Sequence, residues 1–102
     1  MSLVHTFKNP AEFIAKFESL IKQEGFLACV ITGGVSESTG TNWCPDCDAA
    51  KPYIMQAVEA NTTYPTLIGL VEDRSTWVGR QDHPFKQHAV IKARGVPTML
   101  LF

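Results

Sequence analysis

From Leu3 to Phe7, apolar and polar residues alternate well enough to predict a short first strand. Asn9-Pro10 then supplies a helix start, with Asn9 as N-cap, Pro10 at the first position and Glu12 in reach of the cap. Phe13, Ile14, Phe17, Leu20 and Ile21 recur at the spacing of one buried stripe, Lys16, Glu18, Lys22 and Glu24 fall on the other side, and Gly25 stops the helix. Phe26 to Thr32 is a continuous apolar run, the pattern of a strand covered on both faces, which requires helices above and below a sheet. Gly33 to Asn42 is rich in Gly, Ser and Thr, with Val35 as its single apolar residue, and reads as a flexible loop delivering the chain to Trp43.

A second helix is predicted from about Cys44 to Ala60, with Ala49, Ala50, Tyr53, Ile54, Ala57 and Val58 at helical spacing and a kink near residues 48–52 caused by Pro52. Tyr64 to Val71 is a further apolar strand, and Glu72 to His83 a polar loop holding Trp77 as a local anchor. Pro84 to Lys92 predicts a short helix packing Phe85, Ala89 and Val90, ended by Arg94-Gly95, and Val96 to Phe102 is a last strand. Strand, helix, strand, helix, strand, helix, strand specifies an α/β sandwich.

The 102 residues make one domain, just large enough for a single core. Hydrophobic residues at 45% and charged residues at 19% describe an ordinary globule, and a formal charge of −1 supplies no field for polyanions, so nucleic acid is not an expected partner. Met1 to His5 lacks the basic start and apolar core of a secretion signal, and no apolar stretch approaches the roughly 20 residues that span a bilayer, so no membrane association is expected.

The chemistry is concentrated in Trp43-Cys44-Pro45-Asp46-Cys47. Two thiols three positions apart at a helix start lie on one face, close enough to close a disulfide and open it again. Pro45 suits the first turn, so Cys44 sits at the positive end of the helix. A fall in thiol pKa there from roughly 8.5 to about 7 raises the thiolate fraction at neutral pH from about 3% to about half. Cys47, one turn further in, is shielded. Cys44 is therefore assigned as nucleophile and Cys47 as resolving thiol. Asp46 modulates the pair in two opposed ways, assisting deprotonation of the resolving thiol through water and opposing the nearby Cys44 thiolate, which offsets part of the helix-terminus effect; the sign of the net shift stays open.

The same Cys-x-x-Cys spacing is half of a zinc site, which needs two further ligands. Cys29 lies in the apolar strand and reads as core, while His5, His83 and His88 lack a second thiol pair beside them, although His83 to His88 is a loosely compatible interval. Structural zinc and an inert pair of cysteines remain the bland alternatives, and no metal is assigned. Three cysteines do not form the framework of a small secreted domain, and a cycling pair suits a reducing compartment.

With this element order and a Val-Pro-Thr 52 residues beyond Cys44, the chain resembles the thioredoxin fold over its whole length. Trp43 before the first cysteine, Pro52 eight residues after it and Gly95-Val96-Pro97-Thr98, similar to a cis-proline loop, sharpen the match. The Trp-Cys-Pro-Asp-Cys form, the long preceding loop and Trp77 ahead of Pro84-Phe85-Lys86 look like the thioredoxin domain-containing protein 17 family.

The resemblance implies a three-layer sandwich with a central mixed sheet and a cytoplasmic disulfide reductase that binds no cofactor. Its Cys44-Cys47 pair would be reduced by thioredoxin reductase, with NADPH as the ultimate donor, and would act on selected proteins and small disulfides such as cystine. Trp43, Val96 and Pro97 are the expected substrate-binding residues, with a cis bond at Val96-Pro97, while the loops at Gly33–Asn42 and Glu72–His83 restrict access. The buried aspartate that ordinary thioredoxins carry six residues before the first cysteine is replaced by Ser38. A thioredoxin fold also continues beyond its cis-proline strand with another strand and helix. The expectation is therefore that the gene encodes about 20–30 more residues, or else that a second copy covers Pro97–Phe102 as a dimer. A redox-sensing binding module on the same fold, with little turnover, is the competing function class.

Overall fold

A computed structural model describes residues 3–23, 25–35, 40–61 and 63–102; the expectations placed on Glu24 and Ser38 lie outside them. In chain order the elements are β1 (Val4–Phe7), α1 (Pro10–Ile21), β2 (Ala28–Gly33), α2 (Pro45–Ala60), β3 (Thr66–Val71), a 3-10 turn at Arg74–Thr76, α3 (Pro84–Gln87) and β4 (Thr98–Leu101). Asn9 caps α1 as its sequence predicts, its Oδ1 accepting the Ala11 N–H at 2.8 Å and the Glu12 N–H at 3.4 Å.

The sheet runs β1-β3-β2-β4, with β1, β3 and β2 parallel and β4 antiparallel to β2. The chain steps past the β3 position to reach β2, then returns to fill it. Right-handed crossovers taken in opposite directions place α1 and α2 on opposite faces. Alternation along β2 and β3 follows: Cys29, Ile31, Leu67 and Val71 join Phe13, Phe17, Trp77 and Phe85 on one side, while Val30 and Ile68 meet Ile54 and Val58 on the other. The result is an α/β three-layer arrangement around a mixed sheet. Among the described residues, no helix is long and apolar enough to cross a membrane.

Helix α2 is where the spacing places it; it meets the sheet through the row Ala50, Ile54 and Val58, leaving the adjacent row Ala49, Tyr53 and Ala57 exposed, Tyr53 at 75%. Three sequence expectations need correction. Phe26 is not in β2; it is 63% exposed and leans on Tyr64 at the surface, with ring centroids 5.9 Å apart. The last strand is shorter than predicted, Thr98–Leu101. The third helix ends at Gln87, Ala89 and Val90 are exposed, and Ile91 and Ala93 enter the core instead. A backbone bond from Ala93 N–H to the Phe85 carbonyl at 3.0 Å and a positive φ of 46° at Lys92 fold that segment back irregularly.

Candidate active site: a dithiol at the start of α2

The carboxyl end of β2 leads into the start of α2, the side of a parallel sheet where ligand sites gather. Cys44 is the N-cap of α2, extended at φ −110° and ψ 101°, and Pro45 occupies the first helical position without a missing donor. Cys44 and Cys47 are joined as a disulfide, their Cα atoms 5.2 Å apart. Each sulfur also receives a backbone N–H. Cys47 N–H reaches Cys44 Sγ at 3.2 Å and Gly33 N–H reaches Cys47 Sγ at 3.2 Å. Such donors favour negative charge on sulfur when the bond is opened.

Cys47 is 1% exposed and Cys44 6%, so the thiol expected from the sequence to act as nucleophile is the outer of the two, although both are largely enclosed. Pro45 and Asp46 lie exposed on the first turn beside them. The carbonyl oxygen of Val96 is 3.7 Å from Cys44 Sγ, and the Val96–Pro97 peptide is cis. Trp43 packs its ring against the core on the α1 side and donates its indole N–H to the Val71 carbonyl at 2.6 Å. The indole edge is thus committed within the fold, and the half-buried ring presents only part of its surface. Trp77 is buried, edge-on to His83 with centroids 5.0 Å apart and capped by Lys86 Nζ 4.4 Å from its ring, which makes it an anchor of its loop.

Two further residues complete the site without having been singled out in the sequence. Gly33 ends β2 where a Cβ would stand 2.8 Å from Cys44 Cβ and 3.2 Å from Trp43 Cε2, so only glycine brings its N–H to Cys47. Asn42 accepts the Cys44 N–H at 2.9 Å and donates to the Gly33 carbonyl at 3.0 Å. The available signal was a short polar residue directly before Trp43-Cys44, a common local acceptor for backbone N–H groups.

Of the other candidate ligands, His5 lies exposed on β1, away from the pair in sequence, and three have settings of their own. His83 Nδ1 accepts the Phe85 N–H at 3.1 Å, and His88 pairs with Glu18 at 3.2 Å. Cys29 sits on β2 at 1% exposure, where burial pushes its thiol up to about 12.

Residues 6–102 match the family described as "Thioredoxin domain-containing protein 17-like, thioredoxin domain". The chain belongs to that family. A redox role comes with membership, and the Cys44-Cys47 disulfide is its structural counterpart. The chain is also similar to a protein named acireductone dioxygenase from Leishmania braziliensis, 29% identical over 109 residues that cover 98% of this chain and 32% of that protein. It is 36% identical over 67 residues to the thioredoxin-like protein Clot of Arabidopsis thaliana and 34% identical over 68 residues to Clot of Oryza sativa subsp. japonica. Those two matches cover 62% of this chain, and 47% and 48% of the respective proteins. The chain therefore spans between about a third and a half of the length of these relatives.

Proposed function

We propose that this chain is a thiol–disulfide oxidoreductase that reduces protein disulfides and small disulfides such as cystine. The observation that carries the reading is the Cys44-Cys47 pair at the N-terminus of α2, with a backbone N–H directed at each sulfur. The Cys44 thiolate attacks a substrate disulfide, forming a mixed disulfide and expelling one substrate thiolate. Cys47 then attacks Cys44 Sγ, forming the intramolecular bond and expelling the second thiolate. Two electrons pass from the dithiol to the substrate.

The oxidised pair must be reduced before another turnover, which supports thioredoxin reductase, drawing on NADPH, as the electron-supplying partner and the cytoplasm as the compartment. Trp43, which precedes Cys44, and the cis Val96–Pro97 peptide, whose Val96 carbonyl lies 3.7 Å from Cys44 Sγ, are proposed to receive an extended substrate segment through the Val96 backbone. One thioredoxin-like domain, here residues 1–102, is proposed to suffice for the exchange chemistry.

The test is reduction of cystine and insulin coupled to NADPH consumption through thioredoxin reductase. The unsubstituted protein should turn over, Cys44→Ser should fall to background, and Cys47→Ser should trap mixed disulfides on Cys44. Full turnover by Cys47→Ser would remove the resolving role. Absence of turnover in the unsubstituted protein, despite a disulfide that opens and closes, would leave a redox-sensing module instead.

A further inference from the structure

Resolution requires Cys47 as a thiolate, yet Cys47 is 1% exposed, and burial by itself disfavours a charged sulfur. The Gly33 N–H at 3.2 Å is positioned to offset that desolvation, since hydrogen bonds to the charged form favour it. Its aim depends on where the end of β2 lies. The Asn42 side chain fixes that point from the opposite direction, donating to the Gly33 carbonyl at 3.0 Å while accepting the Cys44 N–H at 2.9 Å. An isolated backbone bridge also pairs Asn42 with Val35, two residues beyond Gly33. A single amide thus ties together the strand end that supports one sulfur and the helix start that carries the other.

We propose that Asn42 is a positioning residue for the resolving step: by fixing Gly33 it directs the Gly33 N–H at Cys47 Sγ and so favours the thiolate that attacks Cys44. The inference rests on the dithiol reading above. In the step itself, the Cys47 thiol gives its proton to solvent through a cavity of about 250 Å³ that Cys47 lines together with Thr32, Asn42 and Lys51. The thiolate forms the Cys47–Cys44 bond, the bond from Cys44 to the substrate sulfur breaks, and the substrate leaves as a thiolate with the electron pair.

The experiment loads Cys44 of the reduced protein with thionitrobenzoate and follows its release by absorbance as a function of pH. In Asn42→Ala, release at neutral pH should slow roughly tenfold, its pH midpoint should rise by about one unit, and the rates should converge with the unsubstituted protein at high pH. Loss of packing alone would depress the rate at every pH. Superimposable pH profiles would overturn the proposal while leaving the dithiol reading intact; failure of the unsubstituted protein to release thionitrobenzoate would overturn that reading. A measurement independent of any Asn42 variant uses Cys44→Ser, where Cys47 titrates without its partner and Cys29, its thiol pushed up to about 12 by burial, stays protonated around neutral pH. There the Gly33 amide proton resonance should shift with the midpoint of the Cys47 thiolate absorbance, and an amide that ignores this titration would overturn the proposal.

Discussion

Cys29 and Cys47 are equally buried, at 1% exposure each, and differ in what faces the sulfur. For Cys29 the dominant influence is desolvation, which pushes the thiol up to about 12 and keeps it neutral at physiological pH. Alkylation of the reduced, folded protein at neutral pH should therefore label Cys44 first and leave Cys29 unlabelled until denaturant is added, a pattern read directly by peptide mass spectrometry. Cys29→Ser should leave turnover unchanged but lower stability by roughly 1–3 kcal/mol in urea unfolding, because a hydroxyl replaces a small hydrophobe in the core. The thiol pair was legible from spacing and from Pro45 at the helix start. Asn42 and Gly33 were not, because their partnership joins positions nine residues apart across a loop, and no local pattern records which backbone group returns to which side chain.

Between elements, a close fit occurs at Gly69 in the middle of β3, flanked in register by Phe7 of β1 and Ile31 of β2. Phe13 of α1 and Phe85 of α3 meet edge to face above it, with centroids 4.9 Å apart. A Cβ at this position would stand 2.9 Å from Phe85 Cζ and 3.0 Å from Phe13 Cδ2. Gly→Ala within a strand ordinarily gains a little backbone order, but here both rings must shift, so Gly69→Ala should cost about 1–3 kcal/mol. Thermal unfolding should show a midpoint lowered by several degrees, about 4–8 °C for each kcal/mol in a domain of this size. Helix α1 was legible because twelve residues give its periodicity room to repeat. Helix α3 has four residues, too few for a period to separate Phe85, which is buried, from Ala89 and Val90, which are not.

At the scale of the molecule, the 72–83 segment is fastened to the core through Trp77 and His83. Because His83 Nδ1 accepts the Phe85 N–H, this ring is held neutral, and its pKa is lowered by burial first and by nearby Lys86 second, with Asp82 opposing. A histidine with a depressed folded-state pKa contributes stability that is fully present above its unfolded value, near 6.5, and is lost as pH falls through that value and then through the folded one. The urea midpoint should therefore drop on acidification below about pH 6.5, and His83→Asn, which keeps a capping oxygen without titrating, should flatten that drop. The order of elements was readable from the chain, whereas the insertion of β3 between β1 and β2 was not, since pairing partners are chosen by crossover geometry rather than by strand composition. The bridge between Val35 and Asn42 has one more consequence. It ties Asn42 by backbone to Val35, two residues past the end of β2, so the strand end and the helix start are joined by main chain as well as by the Asn42 side chain. The two sulfurs are thereby mounted on one clamp, and a change at Asn42 is expected to be felt at both of them together.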